Sequence, residues 1–395
     1  MRIAMIAPLI ESVPPQKYGG TERVVSLLTE RLVAEGHRVT LFASADSETS
    51  AELVPCSPRS LRLSHDIRDY IAYTIAQLAE VYDRAEEFDV IHNHVDYIAF
   101  PPAKFAPIPT VTTTHGRLDL PEVRAVYFAY QHLPLVAISE SQRASLPGVN
   151  WVNTVYNGVD LRNFHFRPDP GDYLVFLGRI SPEKRPDRAI DIARDVGMRL
   201  VMAAKVDPVD RAYFQAAIEP LVRDSPLVEF IGEVDEREKD ELLGKAYAYL
   251  FPIDWPEPFG LTMAEAMATG TPVVAYRAGS VPEVVADGVT GFVCDTVHDM
   301  ADAVTRIASL DRRRCRERVE RLFSPDAMSH GYEHVYAALA QRDPHGDRLQ
   351  VWPADGIRDQ PLPSPAGAAW PAGELALRPP FAGFRSQNIP ADGVS

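Results

Sequence analysis

The chain has 395 residues, with 40 lysines and arginines against 55 aspartates and glutamates for a net charge of −15, 46% hydrophobic residues and three cysteines. At roughly 150 residues per domain this length allows two domains with chain left over, and the acidic balance excludes a broad basic footprint for nucleic acid or anionic lipid, though not a small local anion site. Cys56, Cys294 and Cys315 are odd in number and widely spaced, with no CxxC, which argues against a disulfide framework or a structural zinc site and for a reducing, cytoplasmic setting.

The apolar start, residues 2–10, is broken by Pro8 and lacks a small-residue cleavage site, so it does not read as a signal peptide. No window approaches the ~20 apolar residues that span a bilayer; peripheral membrane contact is left open but nothing indicates it. RIAMIAPL, the amphipathic GTERVVSLLTERLVAEG and then HRVTLFAS make one strand, helix, strand unit, with Gly36 placed as the helix's C-terminal cap. A helical stretch from about Ile67 to Glu87 follows. DVIHN (89–93), PTVTTT (109–114) and LVAIS (135–139) read as further buried strands. After a proline- and charge-rich break over residues 164–171, a second series begins: YLVFL (173–177), RLVMAA (199–204), VEFI (228–231), AYLFP (248–252) and PVVAY (272–276), again separated by helical patterns. Such alternation predicts an α/β chain of two doubly wound parallel domains. The expected division is 1–168, 169–325, a helix over 326–342 and a tail over 343–395. That tail holds nine of the 34 prolines and six of the 23 glycines, the composition of a disordered segment. Its Trp352, Trp370, Phe381 and Phe384 allow a docking motif, which the composition does not favour over a plain extension.

The first strand runs into ESVPPQKYGGTE rather than GxGxxG, which demotes a dehydrogenase. Gly19 and Gly20 close this long loop just before a helix and permit the backbone to approach a ligand; turn geometry alone also explains them. In the second series, Arg179 at a strand's carboxyl end and Lys184 just beyond it, in SPEKRPDR beside a helix start, put two cations and free backbone N–H groups where a diphosphate could bind. Next comes DWPEPFGLTMAE, in which the N–H groups near Gly260 to Met263 crowd a helix N-terminus between Glu257 and Glu265, carboxylates free to accept hydrogen bonds from sugar hydroxyls. His92 and His94, two apart on one strand with Asp96 beyond, are open to three readings: metal, a lining of the acceptor cleft, or structure. RRRCRER (312–318) reads as a solvated helix face.

With these residues in place, the chain resembles the family-4 retaining glycosyltransferases of the GT-B fold, two Rossmann-like doubly wound domains facing a cleft. The resemblance covers roughly residues 1–340, with GGTERVV, TTTHGR, YNGVD, LGRISPEKRPD, EPFGLTMAEAMATGTPVVA and GSVPEVVADGVTGFV in the family's order. It implies a donor-binding second domain, an acceptor-side first domain and a helix from about Pro325 to Leu339 that crosses back to the first domain. It also implies roles: Glu257 faces the donor sugar and Glu265 the ribose; Arg179 and Lys184 bind the diphosphate; the backbone of Phe259, Gly260, Leu261 and Thr262 cradles sugar and phosphate. His115 lies beside the sugar, and the Gly19–Gly20 loop closes over the phosphates. Arg185 departs from the pattern, since the family commonly has glycine after the lysine.

A glycosyl transfer builds negative charge on the departing nucleoside diphosphate, which the two cations and the helix end can meet without a metal. No Asp-x-Asp for holding a divalent ion occurs anywhere in the sequence. The expectation is therefore a hexosyltransferase with no cofactor and no metal. Its donor is a nucleoside-diphosphate sugar, UDP-glucose ahead of GDP-mannose, and its acceptor is unknown but set by loops such as Glu11–Gly20 and Leu53–Ser64. A nucleotide-sugar epimerase on the same fold and a non-catalytic nucleotide-sugar-binding protein are the alternatives.

Overall fold

The computed structural model describes residues 1–16, 19–64 and 67–340. The expected tail, the last two residues of the expected return helix, and Lys17 and Tyr18 of the first loop lie outside them. Among the described residues, thirteen strands form two wholly parallel sheets within one compact unit. In the first are β1 (Arg2–Ile6), β2 (Arg38–Ser44), β3 (Glu52–Ser57), β4 (Val90–Asn93), β5 (Thr110–Thr113), β6 (Leu135–Ala137) and β7 (Trp151–Thr154), in the order β3-β2-β1-β4-β5-β6-β7. The second holds β8 (Tyr173–Arg179), β9 (Arg199–Lys205), β10 (Val228–Gly232), β11 (Ala248–Phe251), β12 (Val273–Tyr276) and β13 (Gly291–Cys294), in the order β10-β9-β8-β11-β12-β13.

Both sheets reverse direction of progression at one place, between β1 and β4 in the first and between β8 and β11 in the second. The two chains leaving such a pair of strands part above and below the sheet, which opens a crevice at their carboxyl ends. The crevices receive the loops after β1 and β4 on one side and after β8 and β11 on the other. These loops and their flanking ends carry Gly19, Gly20, His94, Arg179, Lys184 and Glu257.

Local sequence explains the elements around these crevices. The Gly20–Ala34 helix buries Val24, Val25, Leu28 and Leu32 on one stripe. It ends as its sequence predicts: Gly36 turns left-handed at φ 90°, its N–H bonding Val33 O at 3.0 Å while His37 N–H bonds Leu32 O at 3.0 Å. The Pro325–Ala340 helix lays Met328, Tyr332, Val335, Tyr336 and Leu339 into the same core as that helix and β1, β2 and β4. The chain thus returns to the first sheet after completing the second.

Three strands escape the sequence reading, and all three are sheet edges: β3, β7 and β13. β3 contains Pro55 and alternates poorly, and β7 is four residues long and only half-buried. β13 opens on Gly291, where a Cβ would lie 2.0 Å from Val273 O. One expectation needs correcting here. Leu53–Ser64 is not a loop throughout, because its first half is strand β3 against β2.

Candidate active site

The donor-side geometry starts at Gly260. It adopts φ 75° and caps the Leu261–Ala268 helix; a Cβ there would sit 2.6 Å from the Met263 methyl carbon. A helix's first amides have no intrahelical acceptor, so this left-handed turn aims a set of N–H groups at the crevice above β8 and β11. Thr262 turns its hydroxyl inward to Tyr249 Oη at 2.7 Å, and that tyrosine donates to Leu177 O at 3.1 Å. The Phe259 side chain is buried in the second domain's core, so only its backbone is available near the crevice, with Ser280 Oγ donating to its carbonyl at 2.8 Å. Gly279, at φ 54°, lets the following loop press against Glu257: a Cβ would fall 2.3 Å from Glu257 O.

Charges around that helix end are compensated within the protein. Lys184 Nζ forms a short ion pair with Glu257 Oε2, which also accepts from Trp255 Nε1 at 3.0 Å. The ammonium lies 5.4 Å from the Phe251 ring centroid and 5.1 Å from that of Trp255. Arg179 is held by Glu183 at 2.7 Å and Asp210 at 3.3 Å, and Glu265, 4% exposed, by Lys239 at 2.6 Å. Arg185 takes the backbone conformation suited to glycine, φ 49° and ψ 55°, and forks its guanidinium to Asp187 at 2.7 Å and Asp254 at 2.9 Å. Those carboxylates push its pKa up. Arg185 therefore preserves the turn that its side chain strains.

Gly19, Gly20, Leu261, Thr262 and Glu265 line one cavity together with Gly178, Lys205, Val234 and Lys239. A Cβ on Gly20 would be 3.5 Å from Leu261 Cδ1, so the first-domain loop reaches the start of the donor-side helix. Glu257, Lys184 and Trp255 form an adjoining group, and Arg117, two residues after His115, reaches it from the first domain with its guanidinium 5.6 Å from the Trp255 ring. Arg179 links the two groups, next to Gly178 in sequence and opposite Lys205 in the β8/β9 register.

On the first-domain side, His115 follows β5 and is partly exposed. Its Nε2 is 2.8 Å from His94 Nδ1. His92 and His94 do share a side, with ring centroids 4.0 Å apart. His92, however, is fully buried and tied to Tyr336 Oη at 2.7 Å and Thr113 Oγ1 at 2.8 Å, so it joins β4 to the returning helix instead of lining a cleft. Burial pulls His92 down to about 3 and His115 to about 4. Asp96, at φ 50°, accepts the backbone N–H of His115, and burial raises its carboxyl to about 6. Among the described residues, the groups close enough to share a metal ion are Glu35, His330 and Glu333, none of them a candidate site residue.

The solvated-face reading of residues 312–318 fails for three of its arginines. Arg312 is 7% exposed and donates to Arg167 O, Gly244 O, Ala246 O and Thr271 Oγ1 at 2.7–3.1 Å. Arg316 donates to Phe164 O and Ala268 O, and Arg318 to Glu283 O and Val284 O. Residues that the sequence did not single out also flank the cleft. Arg23 pairs with Glu236 at 2.6 Å across the domains. The Glu283 carboxylate accepts the N–H groups of Glu140 and Ser141, both at 2.7 Å, from the first domain. The surface-like sequence around Lys239, EREKDELLG, gives no sign that this lysine meets Glu265.

Two parallel domains that face each other at their switch points, with cations and a glycine-capped helix end on one and a histidine on the other, define a GT-B enzyme. Residues 18–163 match the family described as Glycosyltransferase Family 4, and residues 160–321 the family described as Glycosyl transferases group 1. The chain is 31% identical over 335 residues to the D-inositol 3-phosphate glycosyltransferase of Frankia alni, covering 70% of this chain and 82% of that one. It is 28% identical over 384 residues to the glycogen synthase of Mycobacterium tuberculosis, covering 82% and 91%. Among solved structures, Anabaena HepE in complex with UDP-glucose superposes with a TM-score of 0.68 at 17% identity, covering 86% of this chain and all of that one. The chain belongs to the family-4 glycosyltransferases of the GT-B fold, and it is a glycosyltransferase.

Proposed function

We propose that the enzyme transfers a hexose from a nucleoside-diphosphate sugar, UDP-glucose first, to an acceptor hydroxyl with retention of configuration and without a metal. The observation that carries this reading is the pairing of Lys184 with Glu257 beside the Gly260-capped helix. It sets a cation and free amides where a diphosphate would leave, and a carboxylate where sugar hydroxyls would lie. In this reading Arg179, Lys184 and the amides from Phe259 to Thr262 stabilise the leaving diphosphate as its charge grows. Glu257 and Glu265 accept from sugar and ribose hydroxyls, and the Gly19–Gly20 loop closes the cavity that it already lines. The acceptor hydroxyl enters from the first-domain side, past His115, and attacks the face that the diphosphate leaves, passing its proton to a donor phosphate oxygen. HepE, which binds UDP-glucose on this fold, favours the uridine donor. No helix among the described residues is long and apolar enough to cross a membrane, and the free thiols Cys56, Cys294 and Cys315 suit a reducing cytoplasm.

The test is a titration of UDP-glucose, ADP-glucose and GDP-mannose by calorimetry in EDTA, followed by acceptor trials with the tightest donor. Glu257→Gln and Arg179→Ala should each lower kcat/KM by about 10- to 150-fold, the worth of one hydrogen bond to a charged group, while far-UV circular dichroism stays unchanged. Near-wild-type turnover in either variant, or transfer that stops in EDTA, overturns the reading.

A further inference from the structure

The three histidines on the first-domain side form a row in which only one hydrogen-bond pattern is economical. His92 has both ring nitrogens occupied, Nδ1 by Tyr336 Oη and Nε2 by Thr113 Oγ1, so it has nothing to offer the next ring. His94, 2% exposed, shares its Nδ1 with His115 Nε2 at 2.8 Å, the rings stacked with centroids 5.1 Å apart. Its Nε2 is sealed from solvent with no partner. Among the described residues none is hydrogen-bonded to His115 Nδ1, and the residue is partly exposed at the crevice.

A neutral imidazole has one N–H and one lone pair. If His94 carried its proton on Nε2, a donor N–H would be buried without an acceptor. If it carries the proton on Nδ1, the orphan is only a lone pair. Orphaned buried N–H groups are the rarer and costlier defect. His94 Nδ1 is therefore the donor, His115 Nε2 the acceptor, and the remaining proton of His115 sits on Nδ1. We propose that His94 is a positioning residue that fixes His115 in the Nδ1–H tautomer, so that the histidine presents a hydrogen-bond donor to the cleft.

The groups that face this pair agree with it. His92 packs on His94 at 4.0 Å between centroids. Asp96 engages the His115 backbone N–H, not its ring, and Tyr127 Oη donates to Asp96 at 3.4 Å. Among the described residues no carboxylate is hydrogen-bonded to either ring, and burial of three adjacent imidazoles disfavours a second, charging proton on any of them.

The consequence is chemical. A His115 with its Nε2 lone pair committed to His94 and a proton on Nδ1 cannot accept the proton of an attacking hydroxyl. It can donate to a sugar or acceptor oxygen, and the acceptor's proton must go elsewhere. This use of the donor rests on the proposed placement of His115 beside the transferred sugar; the tautomer itself does not.

Long-range 1H–15N spectra of the 15N-histidine-labelled enzyme, with His115→Gln to assign the signal, read the tautomer directly in the wild type. The expected result is protonated Nδ1 and bare Nε2 on His115. In His94→Phe, which fills the space but removes the donor, the His115 signals should report a mixture of tautomers. In His94→Asn, whose amide nitrogen falls near the place of Nδ1, the wild-type pattern should persist. Turnover should follow: kcat at least about tenfold lower in His94→Phe with the donor KM within about twofold, and largely recovered in His94→Asn. A proton on Nε2 of His115, or an unchanged tautomer in His94→Phe, overturns the proposal. Failure of the site reading looks different, since the tautomer would be as expected while His115→Gln turned over at the wild-type rate.

Discussion

Arg185 holds a backbone conformation suited to glycine, and the strain has a measurable size. The residue occupies φ 49°, ψ 55° between the Pro182–Lys184 turn and the Pro186–Val196 helix. A non-glycine residue in that region costs about 1 kcal/mol or more. Against this stand ion pairs to Asp187 and Asp254, with side chains 27–50% exposed, worth about 0.5 kcal/mol each. Arg185→Ala loses both pairs and keeps the strain, so it should destabilise by about 1 kcal/mol. Arg185→Gly loses the pairs, releases the strain, and gives back part of that release to the freer unfolded chain. The glycine variant should therefore be more stable than the alanine variant by about 0.5 kcal/mol, or about 1–2 °C in the unfolding midpoint of a domain this size. Urea denaturation followed by tryptophan fluorescence, with thermal midpoints alongside, gives both differences. Donor affinity should stay within about threefold in the glycine variant, since the turn that positions Lys184 is kept. An alanine variant as stable as the glycine one would refute the assignment of strain to this residue.

Arg312→Met should cost about 3 kcal/mol in chemical denaturation, because it strands carbonyls of Arg167, Gly244 and Ala246 that have lost their charged donor; a loss under about 1 kcal/mol would restore the surface reading of that helix. Stability should also fall on acidification. Burial lowers His92 to about 3, His115 to about 4 and His94 well below its ordinary value, so the unfolded chain binds more protons than the folded one below about 6.5. Their contribution is complete above about 6.5 and is lost as pH falls toward about 4, by up to about 1.4 kcal/mol per pH unit for each histidine. Asp96, raised to about 6, has the opposite sign: the folded chain holds its proton more tightly between about 4 and 6 and offsets part of the loss. A thermal midpoint that is flat from pH 7 to 5 contradicts this balance.

The sequence made legible what is local. Gly36 announces a helix end because a left-handed residue and two backward hydrogen bonds need no distant partner. The central strands β1, β4, β8 and β11 announce themselves by apolar residues buried along their middles, and the loops that follow them are the loops of the site. What could not be read is what depends on a second element. Arg312 lies in a run of four arginines among five residues, and only the carbonyls of a neighbouring loop and helix end make it a core residue. Glu283 sits in a motif already noticed, yet its task is to receive two amides from the other domain. The edge strands β3 and β7 escape for a related reason, since a half-exposed strand with one neighbour carries little apolar signal.

The net charge of −15 and the affinity expected for an anion are reconciled at Lys184. Its ammonium is paired in the structure with Glu257 and lies over two aromatic rings. That pairing keeps a cation in place in an acidic protein with its charge balanced. On the proposed donor reading, a diphosphate that reaches the Gly260 helix end competes with Glu257 for the same ammonium. If Lys184 turns to the phosphate, the Glu257 carboxylate is left with Trp255 Nε1 and open acceptor positions. Those positions are filled by the hydroxyls of the sugar that arrives on the same molecule. A free nucleoside diphosphate supplies the phosphate but no hydroxyls for Glu257, so it makes only half of the exchange. Discrimination between the sugar-bearing donor and the bare diphosphate then resides in Glu257, and Glu257→Gln should narrow the ratio of their affinities toward one.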